Sequence, residues 1–295
     1  MKNLVLGAVE NYQRRDIVPF IRSLEAVGYS GDVVFFVSNI SSDLRSFLRD
    51  HGVRMVSYRR LRGPIARGLR IIMNWFLDRF RRRFNRELVS PRHPLFRYIW
   101  HIHASRYFLY FEYMKSVNEE YELILLTDVR DVVFQRDPFT FEISGSVCTF
   151  EEYPGISIGQ EFFNSWWIRD LFGESCMRGM RDRTIYCSGV TFGTQTGIQS
   201  YLNTMTDLLS RRHGPYRFDQ GAHNYIVYKE LLHGLQLFQF QASPIVHLGI
   251  TPFDLIRLSR SGDVLNASGA VAHVVHQYDR HPVIEEMYME RFGNQ

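Results

Sequence analysis

Cysteine is scarce in this sequence. The chain of 295 residues has three cysteines, Cys148, Cys176 and Cys187, and their spacing forms neither a disulfide framework nor a paired metal motif. Few, unpaired cysteines are typical of proteins from a reducing compartment. The sequence therefore argues against a small disulfide-stapled secreted protein, and we expect a cytoplasmic location.

Long apolar runs are missing too. No segment approaches the roughly 18 uninterrupted apolar residues that a membrane-spanning helix needs. The N-terminal apolar run, 4–9, is too short for a signal peptide, and Glu10 ends it. We therefore expect neither a membrane span nor a secretory signal.

The glycine-rich fingerprint of dinucleotide-binding folds is also absent. Gly7 stands alone where a Gly-x-Gly-x-x-Gly motif would be needed after the first predicted strand, so the sequence does not predict an NAD enzyme. No RNA- or DNA-binding module accompanies the basic residues. We therefore expect no nucleic-acid partner.

The chain does contain a regular alternation of strands and helices. Short apolar runs predict strands at 4–9, 33–37 and 53–58, and amphipathic patterns predict helices at 16–27 and after an N-cap at Ser41. This alternation predicts an α/β fold whose Rossmann-like, mostly parallel central sheet is flanked by helices. Without a repeat, linker or composition break, we expect one domain over 1–295.

The segment 121–139 carries the strongest functional signal. Its apolar run, 123–126, predicts a strand buried on both faces, and Asp128 and Asp131 follow directly. Ligands bind at the carboxyl ends of such strands. Because side chains alternate along a strand, these two carboxylates can converge only if the strand ends there and the chain turns.

Converging carboxylates repel each other, and a divalent cation relieves that repulsion. Aspartate oxygens suit Mg²⁺ or Mn²⁺, which keep open positions for phosphate oxygens. One hypothesis for this segment is therefore a metal–diphosphate site. The alternative is a solvated strand end in which one aspartate caps the next turn.

We expect residues 59–95 to form a basic helical insertion. Apolar residues recur there at spacings of three and four, which predicts an amphipathic helix. Ten of its arginines crowd residues 59–86: Arg59, Arg60, Arg62, Arg67, Arg70, Arg79, Arg81, Arg82, Arg83 and Arg86. Two interpretations are open: a helix whose residues 65–86 contact an anionic membrane surface or an acidic partner, or a helix packed on the core with its arginines in water.

The next predicted helix, 96–117, is aromatic nearly all round and should be buried. Arg106 lies inside it, and a buried arginine needs a partner. That partner is either an anionic ligand at the acidic strand end or a structural carboxylate. Farther on, strands are predicted at 146–150, 184–193 and 244–248, helices at 197–211 and 221–232, and a hairpin at 258–272.

Four polar clusters follow one another along the chain. They are Glu10-Asn11-Tyr12, Asp128 with Asp131, Asp219-Gln220 followed by Asn224, and His276 with Arg280. In this order they resemble the GT-A fold nucleotide-sugar glycosyltransferases, most closely the retaining family eight enzymes, which include glycogenin-like and bacterial galactosyltransferases. The resemblance extends from about residue 4 to residue 282.

The resemblance implies a role for each cluster. It implies that Ala8, Asn11 and Tyr12 bind the nucleoside, that Arg106 and Arg280 contact the diphosphate, that Asp128, Asp131 and His276 bind Mn²⁺ or Mg²⁺, and that Asp219 and Gln220 lie at the transferred sugar. Two points depart from the family pattern. The aspartates are one residue farther apart than in its Asp-x-Asp motif, and Arg280 replaces the family's lysine at a shorter spacing. His247 is a rival of His276 for the metal.

These observations lead to one hypothesis and two alternatives. The hypothesis is a metal-dependent glycosyltransferase that moves a sugar from a UDP- or GDP-sugar to a glycan, lipid-linked or envelope acceptor, with retention by analogy to the family. It would be cytoplasmic or peripheral on the inner face of the membrane. The alternatives are a metal-dependent phosphoesterase or nucleotidyltransferase, and a non-catalytic membrane- or partner-binding protein that uses the basic helix.

Overall fold

The computed structural model describes residues 2–61, 68–69, 71–72, 101–210 and 218–293. The predicted basic helix over 65–86 therefore lies almost entirely outside the described residues, as does the beginning of the predicted helix 96–117. Within the described ranges, none of the helices combines the length and the apolar composition that a bilayer crossing requires.

A seven-stranded sheet forms the centre of the described structure. Its strands are β1 (Lys2–Glu10), β2 (Asp32–Ser38), β3 (Arg54–Ser57), β4 (Tyr121–Thr127), β6 (Val147–Phe150), β7 (Val190–Thr194) and β8 (Leu235–Phe238). The spatial order is β3-β2-β1-β4-β7-β6-β8. Neighbouring strands are parallel except at β7, which runs antiparallel to β4 and β6. The predicted mostly parallel sheet is confirmed.

Helices cover both faces of this sheet or pack against the smaller elements beside it. They are α1 (Val18–Ala26), α2 (Ser42–Asp50), α3 (Ile102–Ser116), α4 (Phe162–Phe172), α5 (Glu174–Met180), α6 (Gln195–Ser210), α7 (Asp219–Tyr228) and α8 (Pro282–Tyr288). Along β1, Leu4 and Leu6 pack into the core shared with α3 and α6, whereas Val5 and Val9 pack into the core shared with α1 and α2. Burial on both faces explains why this strand has no polar alternation.

A smaller three-stranded sheet lies beside the carboxyl end of β4. It contains β5 (Val132–Phe134), β9 (Ile245–His247) and β12 (Val274–His276), with β12 in the middle. β12 is parallel to β9 and antiparallel to β5. The register pairs His276 with both His247 and Val132, so it brings these histidines next to the chain that leaves β4. The predicted hairpin is also present, as β10 (Arg257–Leu258) and β11 (Val264–Leu265).

Two predicted elements differ from the structure. The strand expected over 184–193 is wrong in its first half, because only Val190–Thr194 pairs with β4 and the chain before Val190 turns. The helix expected from Gly221 begins at Asp219, and its N-cap is Phe218, which makes no side-chain capping bond. Asp219 is therefore not the cap of this helix. The predicted cap at Ser41 is confirmed, because its side chain accepts a hydrogen bond from the Leu44 amide at 3.1 Å.

Candidate active site

The turn after β4 places two carboxylates on the same side of the chain. The Asp128 amide donates to the Gly189 carbonyl at 2.7 Å, and the Asp131 carbonyl accepts from the Gln277 amide at 2.7 Å. These hydrogen bonds fix the turn to the chain next to β7 of the large sheet and next to β12 of the small sheet. Oxygen atoms of Asp128 and Asp131 and a ring nitrogen of His276 all lie within 4.8 Å of one another. The two carboxylates were expected to converge only if the strand ended before Asp128 and the chain turned. The strand does end at Thr127, and the chain then turns.

His276 presents an unused nitrogen to these carboxylates. Its Nε2 lies 3.4 Å from Asp128 Oδ2 and 3.8 Å from Asp131 Oδ1, and it makes no hydrogen bond within the described chain. Burial lowers the pKa of His276, although the carboxylates of Asp131 and Glu152 act in the opposite direction. A neutral imidazole and two carboxylates form a donor set that fits a divalent cation such as Mn²⁺.

Gly189 leaves the space in which these groups meet. A Cβ atom at this position would lie 2.2 Å from His276 Cε1 and 2.9 Å from Asp128 Oδ2. Neither ring nor carboxylate could keep its place beside such an atom, because the contacts are far shorter than van der Waals separations. The glycine thus allows the histidine of the small sheet and the aspartate of the large sheet to approach each other.

His247 lies on the opposite side of the His276 ring. The two Nδ1 atoms are 3.0 Å apart, and Cys187 Sγ lies 3.6 Å from His276 Nδ1. Burial lowers the pKa of His247 well below its ordinary value and raises the pKa of Cys187 well above it. His247 and Cys187 are therefore both neutral. One of the two histidine Nδ1 atoms donates a hydrogen bond to the other. His247 supports the His276 ring from behind, as outer partners of metal-bound histidines do.

Arg106 joins the aspartate turn to α7. Its Nη1 forms an ion pair with Asp128, and its Nη2 lies 3.0 Å from Asp219 Oδ2. The Ser188 hydroxyl also donates to Asp219 Oδ2, at 3.2 Å. Arg106 and Asp219 are each 7% exposed in their side chains. The described structure therefore gives Arg106 the carboxylate partners that its buried position requires.

Gln220 connects α7 to two residues that sequence reasoning missed. Its Nε2 donates to Glu152 Oε1 at 3.2 Å and to Asn164 Oδ1 at 3.3 Å. Burial raises the pKa of Glu152 to about 7. Asn224 has a structural part in this arrangement, since its side-chain amide bonds both the amide and the carbonyl of Tyr186 at 2.9 Å. No local sequence signal distinguishes Glu152, which follows β6 in an irregular loop.

The loop after β1 forms the other end of the site. Asn11 has a left-handed backbone with φ of 61°, and its side-chain oxygen accepts a hydrogen bond from Asn39 at 2.6 Å. Arg60 pairs with the buried Glu10 at 3.0 Å. Ala8, by contrast, packs against the core on the α3 side and is not among the described residues that line the site.

These groups surround one cleft of about 360 Å³. Nine of the ten predicted site residues line it: Asn11, Tyr12, Arg106, Asp128, Asp131, Asp219, Gln220, His276 and Arg280. Arg280 lies 3.8 Å from Asp131 Oδ2 and 2.6 Å from Asp279 Oδ1. Lining residues that the sequence analysis did not assign to the site include Arg60, Arg130 and Trp167.

Comparison with known proteins places the fold. No family model and no curated protein matches the chain. Among solved structures, the galactosyltransferase LgtC in complex with donor and acceptor sugar analogs matches with a TM-score of 0.52 at 12% identity, over 99% of this chain and 95% of LgtC. The chain has a GT-A glycosyltransferase fold. An active-site glutamine-to-glutamate variant of LgtC gives a TM-score of 0.53 at 15% identity, with the same coverage of both chains.

A second solved structure that matches is longer than this chain. The bifunctional glycosyltransferase WbbM matches with a TM-score of 0.51 at 10% identity, over 100% of this chain and 50% of WbbM. In the GT-A fold of this protein, the cleft lies at the carboxyl ends of the parallel strands β1 and β4, which is the usual ligand site of open α/β sheets.

Proposed function

We propose that this protein is a metal-dependent glycosyltransferase that uses a nucleotide-diphosphate sugar. The observation that carries the proposal is the convergence of Asp128, Asp131 and the unpaired His276 Nε2 in a cleft at the carboxyl ends of β1 and β4. Asp128, Asp131 and His276 would hold Mn²⁺ or Mg²⁺. Such a cation, when bound, stabilises the negative charge of the departing diphosphate.

Different residues of the protein would contact different parts of the donor. Asn11 and Tyr12, in the loop after β1, would contact the nucleoside of a UDP- or GDP-sugar. Arg280 is 46% exposed beside Asp131, so it can turn towards phosphate oxygens, for which a guanidinium is well suited. Arg106 is held by Asp128 and Asp219, and it would place positive charge beside the diphosphate and fix the Asp128 carboxylate.

Asp219 and Gln220 would act at the sugar. Both lie in the first turn of α7, and both line the cleft. Cleavage at the anomeric carbon develops positive charge on the sugar. The side-chain carbonyl oxygen of Gln220 and the carboxylate of Asp219 can stabilise this charge. Transfer with retention, to a glycan or lipid-linked hydroxyl acceptor, rests on analogy with family eight.

Donor hydrolysis tests the proposal without knowledge of the acceptor. We expect the purified protein to hydrolyse at least one UDP- or GDP-sugar slowly with Mn²⁺ and to stop when EDTA removes the metal. The same nucleotide should raise the thermal unfolding midpoint only when Mn²⁺ is present, because ligand and metal bind the folded state. Release of inorganic phosphate or pyrophosphate without free sugar would instead identify a phosphoesterase or nucleotidyltransferase.

We also propose that residues 65–86 contact an anionic membrane surface. The arginine content of this segment supports the proposal, as do the exposed side chains of Leu69, Ile71 and Ile72 at 38%, 61% and 60%. Co-sedimentation with phosphatidylglycerol vesicles should occur at low salt and fall as salt is added.

A triple variant tests which arginines are responsible. Replacing Arg81, Arg82 and Arg83 by glutamine should weaken vesicle binding, whereas the same change at the exposed Arg49, Arg178 and Arg181 should not. Binding that is insensitive to salt, or equal losses in both triple variants, would count against a contact through this segment.

A further inference from the structure

Two phenylalanines in the first turn of α4 are exposed beside the cleft. Phe162 is 70% exposed and Phe163 is 54% exposed. Phe163 lies against Trp167, one turn later, and Trp167 lines the cleft. An apolar strip therefore continues without a break from the solvent into a site whose other lining residues are mostly polar. We call Phe162, Phe163 and Trp167 the aromatic strip.

The aromatic strip is held firmly in this position. The Glu161 side chain caps α4 by accepting hydrogen bonds from the amides of Phe163 at 3.2 Å and Asn164 at 2.6 Å. The Asn164 side chain accepts from Gln220 Nε2, which ties the same turn to the sugar end of the cleft. A Cβ atom on Gly221 would lie 2.8 Å from Trp167 Cβ, so this glycine lets α4 pack tightly against α7. Exposed aromatic side chains on such a fixed turn are typical of ligand-binding grooves.

The ring geometry identifies a suitable ligand. The Phe163 and Trp167 rings are within 28° of parallel, with centroids 5.7 Å apart. This separation is larger than the roughly 3.5–4.0 Å of directly superposed rings, so the rings are offset and part of each face stays open. The carbon–hydrogen face of a pyranose packs well on an aromatic face, and two offset rings offer places for two consecutive sugars.

We infer that the aromatic strip is the acceptor subsite, and that the acceptor is a glycan of at least two pyranose units. Its terminal sugar would lie at Trp167 and the preceding sugar at Phe163, with Phe162 at the outer edge. The reacting hydroxyl would then point towards Gln220, where the transferred sugar of the donor is placed. This inference rests on the proposed function, because it assigns the second substrate of the same cleft.

Acceptor binding can be measured separately from donor chemistry. Saturation-transfer NMR with lactose, maltose and cellobiose, each compared with its methyl monosaccharides, should show at least one disaccharide that binds more tightly than its components. In the double variant Phe162→Ala and Phe163→Ala, the Kd of that disaccharide should rise about tenfold or more, since a stacked apolar contact is lost. The single variant Phe163→Trp, which keeps an aromatic ring at this position, should bind the disaccharide as the wild type does. Phe253→Ala, which removes a phenylalanine that is 53% exposed elsewhere, should leave the Kd unchanged.

Donor hydrolysis separates failure of this inference from failure of the proposed function. The double variant should hydrolyse the nucleotide-sugar at the wild-type rate, since neither phenylalanine lines the described cleft. If no disaccharide binds, or if binding survives in the double variant while donor hydrolysis is intact, the inference is overturned. It is also overturned if the double variant loses phosphatidylglycerol vesicle binding or changes oligomeric state instead. If the wild type has no donor hydrolysis, the proposed function itself fails.

Discussion

Replacing Asp131 by asparagine is expected to abolish Mn²⁺-dependent donor hydrolysis. Asparagine keeps the shape of the side chain but removes one of the two carboxylates that face His276 Nε2. Loss of a direct ligand should weaken Mn²⁺ binding by more than the roughly 10–100-fold that loss of an outer-shell partner costs. The fold should persist, because the bond from the Gln277 amide goes to the Asp131 main-chain carbonyl.

Manganese binding gives a readout of this variant that does not depend on turnover. At a Mn²⁺ concentration of about 100 times its Kd, the wild type should gain about 2.7 kcal/mol of stability, and Asp131→Asn should gain almost none. Asp182→Asn is a matched control, because this carboxylate is 91% exposed beside Arg181 and should respond to Mn²⁺ as the wild type does. A normal Mn²⁺ response in Asp131→Asn would remove this residue from the metal site.

The central strands could be predicted from the sequence because they are buried on both faces. β1 was expected at 4–9 and occupies Lys2–Glu10, and the run 123–126 lies inside β4, Tyr121–Thr127. Such strands need apolar residues at every position, so their sequence signal is strong. The functional turn was predictable for the same reason, since Asp128 and Asp131 interrupt that run.

The segment before β7 could not be predicted in this way. Ile185 is apolar and buried, but it packs with Ile158 and Ile168 in a separate cluster rather than in a strand of the central sheet. A buried apolar residue in a strand of the central sheet differs from one in a separate cluster only in its main-chain pairing partners. Those partners are set by the tertiary structure and not by the local sequence. The turn at Ser188 and Gly189, which brings both residues to the cleft, was therefore hidden inside an expected strand.

Residues supplied by packing between distant helices were also missed. Trp167 lines the cleft because α4 approaches α7 closely at Gly221, and Glu152 meets Gln220 because the loop after β6 passes beneath α7. Neither contact has a local pattern in the sequence. The ordered resemblance to a family could suggest Asp219 and Gln220, but it could not supply the residues that surround them.

Replacing Arg106 by methionine is expected to destabilise the protein and to stop the reaction. Methionine keeps much of the apolar stem but leaves the buried Asp219 carboxylate without its cation, and removal of one partner from a buried ion pair costs about 3–5 kcal/mol. Urea unfolding would show this as a lower midpoint with an unchanged slope. Arg169→Met is a suitable control, because its pair with Glu174 is about half exposed and should contribute only about 0–1 kcal/mol.

The double variant Arg106→Met with Asp219→Asn separates the structural and catalytic parts of this arginine. Replacing the Asp219 carboxylate, which has lost its cation, by an amide should recover part of the lost unfolding free energy, since no charge is then left unpaired at this position. Donor hydrolysis by the double variant should stay at least about 100-fold below that of Asp219→Asn alone, which accounts for the loss of Asp219 itself, as expected when a positioned positive group is lost from a site of developing negative charge. Arg106→Lys should also fall short, because an ammonium cannot hold Asp128 and Asp219 with one planar group. If the double variant regained both stability and activity, Arg106 would be a structural counterion for Asp219 alone, and the diphosphate would have to be neutralised by Arg280 and the cation.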